Sequence, residues 1–196
     1  IKCKGGKIEA TCNKLFSITT SEMKFIGSKE LLILYRTKRN GTVELKIKKG
    51  FQCGKDFVVL VGLTDYFNFI TDSEQKLKRY FFEENVRDYL GNNRTNTDIM
   101  NSLESSEKID FWNLNNGITI LTSSATLYDD IIETDNIQIV NGLQTTNTIF
   151  NYFSNGGTDT TNRSVLVKIV VSTDPLVRKN IIQATNNQSV IPLYSL

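Results

Sequence analysis

The chain of 196 residues contains no histidine, and this absence excludes several kinds of catalytic and metal site. A Ser-His-Asp or Cys-His nucleophile, a histidine-ligated zinc ion and a His-Asn-His nuclease centre all require an imidazole. The three cysteines, Cys3, Cys12 and Cys53, lack the close pair that a zinc ribbon or a redox Cys-x-x-Cys motif needs. We therefore expect reduced thiols, as in a cytoplasmic protein, and no metal site.

Long hydrophobic runs are also missing. No apolar run approaches the ~20 residues that a membrane-spanning helix needs, so we expect no membrane partner. The composition, with 39% hydrophobic and 22% charged residues, is typical of a globular protein. The chain opens at Ile1 without an initiator methionine or an apolar signal segment, which predicts a domain from a longer cytoplasmic protein.

The net charge of +2 is divided unevenly along the chain. Residues 1–55 hold 13 basic and 4 acidic residues, whereas residues 56–196 hold 10 and 17. Five basic side chains of the first part are candidates for contacts with a nucleic-acid backbone: Lys38, Arg39, Lys46, Lys48 and Lys49. Lys46 and Lys48 also flank Ile47 in alternation, as on the solvent face or protected edge of a strand. Both interpretations remain open.

Sequence patterns divide the chain into two predicted parts. Residues 1–55 show short alternating segments and glycine turns, and they predict a basic, β-rich N-terminal subdomain. Within it, Asn40-Gly41 predicts a hairpin between strands at residues 31–36 and 42–47. Residues 56–196 predict a second domain with a mixed sheet and helices. The expected fold class is therefore α+β or α/β.

The second part alternates strands and helices in a recognisable order. An apolar run at residues 56–61 predicts a buried strand, and an excursion through Ser123, Ser124, Asp129 and Asp130 separates two later strands. Residues 64–70 predict a short helix or an aromatic loop, and further helices are expected at residues 77–81 and after a cap at Asn96 or Thr97. From Ile118 onward, strands at residues 118–121, 137–140 and 165–171 should share one sheet. Two helices belong with them, one at residues 145–153 and one from Pro175 to about Asn186.

Three polar clusters lie against apolar elements: Asn85-Val86-Arg87-Asp88, Asn115-Asn116-Gly117 and Asn141-Gly142-Leu143-Gln144-Thr145. Asn141-Gly142 is followed by apolar residues at helical spacing, which predicts a strand-turn-helix junction. Such a junction leaves unpaired N–H groups at the helix start, where phosphate or another anion can bind. Asn and Gly are also the expected residues of turns and helix caps, so that alternative stays open.

Four segments in order resemble the motifs of the AIPR family: FEENVRDYLG at 82–91, FW and NNGITI within 111–120, QIVNGLQT at 138–145 and TNNQ at 185–188. AIPR proteins are abortive-infection phage-resistance proteins, often encoded beside restriction-modification systems. The resemblance covers residues 56–196. It implies bacterial cytoplasmic antiviral defence, with nucleic acid, a nucleotide or other defence proteins as partners. Because the chain ends soon after Gln188, we expect a domain truncated at its C-terminus.

A second, fainter likeness is to proteins with an Asp-Gly-Gln-His-Arg motif and to ParB and sulfiredoxin-like domains. Asn141 stands at the acidic position, Gly142 matches, and Leu143, Gln144 and Thr145 replace Gln, His and Arg. Because the carboxylate and the arginine are both lost, the likeness implies architecture and not metal or triphosphate binding. The sulfiredoxin cysteine would fall at Leu143, so that reaction is excluded at this site.

If the clusters converge, they form a carboxamide-rich pocket with Arg87 as its fixed charge. Amides read base edges, and a guanidinium holds phosphate through two parallel hydrogen bonds. The predicted ligand-binding residues are Asn85, Arg87, Asn115, Asn116, Gly117, Asn141, Gly142, Gln144, Thr145, Asn186 and Gln188. No cofactor and no catalytic residue is assigned.

Two alternatives to this recognition site remain. A nuclease or nucleotide hydrolase would need carboxylates for acid-base or metal chemistry, and the nearest candidates are Glu83, Glu84 and Asp88. A purely structural scaffold would use the same buried amides to satisfy backbone groups at strand ends and loops.

Overall fold

The computed structural model describes residues 27–28, 41–82, 94–104, 109–159 and 162–186. The chain separates into two compact units, Ile1–Arg36 and Thr37–Leu196, and the described residues 41–186 belong to the second. The predicted hairpin at Asn40-Gly41 has its first strand outside the described residues. The predicted domain boundary after residue 55 stays a prediction.

The described elements follow one another along the chain in mixed order. They are β1 (Val43–Lys46), β2 (Lys49–Cys53), β3 (Asp56–Gly62), α1 (Leu63–Ile70), a 3-10 turn (Arg79–Phe82), α2 (Arg94–Glu104), α3 (Phe111–Leu114), β4 (Ile118–Thr122), β5 (Ser124–Tyr128), β6 (Ile131–Asp135), β7 (Gln138–Asn141), α4 (Leu143–Ser154), β8 (Ser164–Val171) and α5 (Pro175–Asn186).

A five-stranded mixed sheet forms the centre of this unit, with the strand order β2-β3-β8-β4-β7. Strands β4 and β8 run parallel, and the other neighbouring pairs are antiparallel. The prediction that residues 118–121, 137–140 and 165–171 share one sheet is confirmed. The predicted mixed fold of strands and helices is confirmed with it.

The two faces of this sheet are covered differently. On one face, Val59, Val167 and Ile120 belong to the main core, together with residues of α1 and α4 such as Tyr66 and Ile149. Burial of β-branched side chains explains why these strands are so apolar. On the other face, α5 covers a small second cluster formed by Leu121, Val140 and Val170, against which Ile181 and Ile182 pack.

A smaller antiparallel sheet has the order β1-β6-β5, and its strand β5 lies in the segment that the sequence presented as an excursion. That interpretation of residues 123–130 is wrong, because β5 and β6 pair as a hairpin that turns at Asp129, whose φ is +52°. Few side chains of this hairpin are buried; Ile132 and Thr134 are examples. The alternation of buried and exposed residues along β5 and β6 was therefore too weak to predict these strands from the sequence.

Two helix predictions were wrong in detail. Helix α2 begins at Arg94, before the expected cap at Asn96 or Thr97, and packing buries Asn96 inside the helix. The segment around Leu77 forms a β-bridge to Thr71 and then only a 3-10 turn. Helices α4 and α5 were predicted correctly, with ends within two residues of those observed. Among the described residues, no helix is long and apolar enough to cross a membrane.

Candidate functional site at the strand ends

The two Asn-Gly motifs of the second half of the chain meet at one end of the central sheet. Strand β4 begins directly after Gly117, and its antiparallel neighbour β7 ends at Asn141, directly before Gly142. The start of one strand therefore lies beside the end of the other. We call this group, Asn116, Gly117, Asn141, Gly142 and Gln144, the strand-end site.

Both glycines of the site are required by backbone packing. Gly117 has a φ of +76°, and a β-carbon there would lie 2.7 Å from the carbonyl oxygen of Leu166. Gly142 has a φ of +90°, and its β-carbon would lie 2.7 Å from Cγ1 of Ile118 and 3.0 Å from the Gly117 carbonyl oxygen. Any side chain at either position would force the strands apart. The glycines therefore bring the two motifs into direct contact.

Helix α4 starts at the site without a capping side chain. Gly142 is the N-cap residue in the left-handed conformation, and the N–H of Thr146 donates to the Gly142 carbonyl over 2.8 Å. The preceding N–H groups, from Leu143 to Thr145, have no partner within the helix because an α-helix leaves its first donors unpaired. These donors and the positive end of the helix dipole favour an anion at this position.

Asn141 joins the site to the end of helix α5. Ile120 pairs with Ile139 and Thr119 with Asn141, so β7 contributes one more residue than β4 at this point. Such a bulge re-aims side chains. Here the Asn141 Nδ2 donates to the carbonyl of Thr185 over 3.1 Å. Thr185 is the first residue of the TNNQ segment. The NNGITI, QIVNGLQT and TNNQ segments therefore meet at this site.

Two carboxamides of the site have polar side-chain atoms without a hydrogen-bond partner among the described residues. Asn116 is exposed, and within the described part of the chain its side chain makes no hydrogen bond. The Oε1 atom of Gln144 is buried and has no hydrogen-bond partner there either. A buried acceptor without a donor is costly. Gln144 therefore marks a place where a donor group of a ligand would be stabilising.

Asn115 serves the scaffold instead. Its Nδ2 donates to the carbonyl of Phe111 over 2.9 Å and approaches Oγ of Ser102 at 3.4 Å. The amide thus closes the short helix α3 and contacts α2. The structure gives Asn115 a structural contact of the kind expected from the scaffold alternative.

The first turn of α4 rests on a buried hydroxyl pair. Thr145 and Thr146 are both buried, and Oγ1 of Thr146 lies 2.8 Å from the hydroxyl oxygen of Tyr66. Burial raises the pKa of the Tyr66 hydroxyl above its usual range, although the hydrogen bond from Thr146 partly opposes this effect. Tyr66 is therefore a neutral support for the helix start.

Sequence reasoning missed an arginine that anchors α5 near the site. Arg178 donates through Nη2 to Oε1 of Gln138 over 2.9 Å and through Nη1 to the carbonyl of Ser172 over 3.0 Å. Gln138 is buried at the start of β7. A buried glutamine in an apolar strand was the available sequence signal, because such an amide requires a partner.

Part of the predicted site falls outside the described residues. Asn85, Arg87 and Gln188 lie outside the described residues, as do Glu83, Glu84 and Asp88, the carboxylates of the nuclease alternative. Asn186 ends helix α5, and only its backbone is described. Their assignment to the site stays a prediction.

The predicted basic contact residues are spread over two sheets. Lys38 and Arg39 lie outside the described residues. Lys46 is exposed on β1 of the smaller sheet, and Lys49 is exposed on β2 of the central sheet.

Lys48, between those two strands, has its ammonium group close to backbone acceptors. Its Nζ donates to the carbonyls of Asn162 and Arg163, the latter over 3.0 Å, and to Oγ of Ser164 over 3.1 Å. These contacts fasten the start of β8 to the β1–β2 connection. The role of these lysines in nucleic-acid binding stays a prediction.

A family model described as AIPR protein matches residues 82–196. The matched region contains β4, β7, β8, α4 and α5, and with them every residue of the strand-end site. This chain belongs to the AIPR family. Membership associates the chain with antiphage defence by abortive infection. No curated protein and no solved structure matches the chain. The likeness to ParB-like domains stays a prediction.

Proposed function

We propose that this AIPR protein acts in abortive-infection defence by binding a nucleotide or nucleic acid at the strand-end site. The observation that carries the proposal is the convergence of three AIPR motifs around the start of helix α4. Gly117 and Gly142 are in direct contact, and Asn141 is bonded to Thr185. Segments far apart in the sequence thus supply one small polar surface.

The chemistry of this surface suits a ligand that carries both a phosphate and hydrogen-bond donors. The first N–H groups of α4 favour the phosphate. The buried Oε1 of Gln144 accepts from an amino group of a base or a hydroxyl of a sugar, and the exposed amide of Asn116 can pair with a base edge. Amides do not titrate in the range useful for acid-base catalysis, so these residues support recognition and not a chemical step.

The scaffold alternative accounts for part of the motif set. Asn115 and Asn141 both donate to backbone carbonyls, and their replacement would weaken the fold whether or not a ligand binds. Asn116 and Gln144 have no such contact through Nδ2, Oδ1 or Oε1 within the described residues. These two positions therefore separate recognition from scaffolding.

The test uses Asn116→Ala and Gln144→Leu, with the exposed Asn113→Ala three residues before Asn116 as the matched control. Phage protection in cells, melting temperature, and binding of nucleoside triphosphates and a short oligonucleotide are measured on each variant. We expect both site variants to lose binding and protection at an unchanged melting temperature, because neither removes an internal hydrogen bond. Gln144→Leu should not destabilise the protein, since it removes an unpaired buried acceptor.

Full protection by both site variants would overturn the proposal. So would a loss of protection that follows the melting temperature, because it would mean that the amides act on folding alone.

A further inference from the structure

The register of the central sheet aligns one residue from each strand in a single row. Phe51 pairs with Val58, Val58 with Lys168, Lys168 with Thr119, and Thr119 with Asn141. We call these five residues the cross-sheet row. Neighbouring strands lie about 4.8 Å apart, so the row extends over about 19 Å and ends at the strand-end site.

The cross-sheet row lies on the face opposite the main core. Successive strand residues point to opposite faces, and the neighbours Val59, Val167 and Ile120 are buried in the core. On the row's face, the described part of helix α5 packs on a cluster of Leu121 on β4, Val140 on β7 and Val170 on β8.

Elsewhere on this face, side chains of the described strands are exposed or half-buried. Phe51 is 63% exposed, Lys168 is exposed, and Thr119 is half-buried. A large aromatic side chain and an ammonium group therefore face solvent on one sheet surface.

The charges of this face favour an anionic partner. Lys49 lies on β2 two residues before Phe51, on the same face, and it is exposed like Lys168. Within the five described strands, the acidic residue of this face is Asp56, whose Oδ1 accepts the N–H of Val171 over 2.9 Å. Lys49 and Lys168 together outweigh its single negative charge, so these strands give the face a basic balance around the exposed ring of Phe51.

We infer that this open sheet face binds a single-stranded nucleic acid. Bases of a single strand present their π-faces for stacking on Phe51, whereas the bases of a duplex are stacked on each other. Lys49 and Lys168 are placed to contact the phosphates. The strand would then reach the amides of the strand-end site. The inference rests on the proposed function, because Asn141 belongs to both surfaces.

The test measures fluorescence anisotropy of a labelled single-stranded oligothymidylate of about 16 nucleotides with the 196-residue chain. Phe51→Ala should weaken binding about 5- to 150-fold, which corresponds to the loss of one stacked base. Phe51→Trp should bind like the wild type, since it keeps an aromatic surface. The control is Tyr128→Ala, because Tyr128 is 58% exposed on β5 of the other sheet.

A second arm of the test follows the salt dependence. Lys168→Ala should reduce the slope of log affinity against log salt by roughly 0.7, the share of one phosphate contact on a single strand. Lys76→Ala is the control, because it removes the same charge from an exposed lysine that pairs with Glu74 on a loop. The duplex form of the oligonucleotide should bind more weakly than the single strand at every salt concentration.

The outcomes separate this inference from the proposed function. If Asn116→Ala and Gln144→Leu lose oligonucleotide binding while Phe51→Ala keeps it, the sheet-face inference fails and the strand-end site stands. If the wild type binds nucleoside triphosphates and no oligonucleotide, the sheet-face inference fails alone. A wild type that binds neither ligand overturns both. If Phe51→Ala instead converts a dimer to a monomer with unchanged binding, the face is an interface between copies, and the inference is wrong.

Discussion

At the scale of single residues, the side-chain amides of this protein have different roles. Asn115 and Asn141 donate to backbone carbonyls and hold elements together. Asn116 and Gln144 keep polar atoms without such partners in the described part of the chain. Both groups carry side-chain amides, and both come from the same two sequence motifs. The difference arises from whether a carbonyl lies within hydrogen-bond distance of each amide.

The support under helix α4 gives a prediction at this scale. Tyr66→Phe removes the hydroxyl that pairs with the fully buried Oγ1 of Thr146. We expect the free energy of unfolding to fall by about 1–3 kcal/mol at neutral pH, because a buried hydroxyl is left without its partner. Urea denaturation measures this change. Tyr128→Phe, at an exposed tyrosine, is the control and should have little effect.

The same variant should change the dependence of stability on pH. Burial raises the folded-state pKa of Tyr66 above the usual value of about 10, so the unfolded state releases this proton first. The contribution of Tyr66 to stability is therefore complete below about pH 10 and is lost as the pH rises further. The Tyr66→Phe variant should not show this decrease in stability above about pH 10. Identical pH slopes of wild type and variant above about pH 10 would contradict the burial of a neutral phenol.

At the scale of secondary-structure elements, helix α5 is attached less extensively than helix α4. Two half-buried isoleucines, Ile181 and Ile182, pack on a small cluster, whereas α4 contributes to the main core. Hydrogen bonds from Arg178 to Gln138 and Ser172 also attach α5 to the sheet. Elements with few buried contacts open at lower free energy than the core strands. Because Thr185 lies on α5, this opening would also release Asn141 of the strand-end site.

Hydrogen exchange tests the attachment of α5. Arg178→Ala should accelerate amide exchange in residues 175–186 about tenfold or more, because it removes charge-assisted hydrogen bonds and leaves the Gln138 amide without this partner. Exchange in strand β8 should change little. Lys179→Ala, at an exposed neighbour, is the control. Equal acceleration in α5 and β8 would show that α5 opens only with the whole unit.

At the scale of the whole molecule, the central sheet joins the region matched by the family model to residues before it. Strands β2 and β3 lie outside the matched residues 82–196, and β3 pairs along its length with β8. Strand β1 pairs with β6 and contributes the fully buried Leu45 to the main core. The compact unit accordingly begins at Thr37.

Truncation tests where the folding unit begins. A chain of residues 37–196 should unfold cooperatively, whereas a chain of residues 56–196 should lose several kcal/mol because it lacks β1, β2 and buried Leu45. Thermal and urea unfolding of both chains measure the difference. Equal stability of the two chains would support a domain boundary after residue 55.

The sequence by itself determined the elements whose signal is local. Strands β3 and β8 are long runs of apolar and β-branched residues, and α5 begins at Pro175, which suits the first turn of a helix. The junction at Gly142 was predictable because glycine in the left-handed conformation ends a strand or caps a helix cheaply. The ordered motifs also predicted the family, whose model matches residues 82–196.

Only the tertiary structure decided which groups meet. The pairing of β1 with β6, the bulge that turns Asn141 toward Thr185, and the row that links Phe51 to Asn141 all depend on partners far apart in the sequence. A strand pattern specifies which residues share a face, but a shift of one residue in register moves every side chain to the other face. Register is set by packing of the entire core. That is the physical reason why the site had to be located in three dimensions.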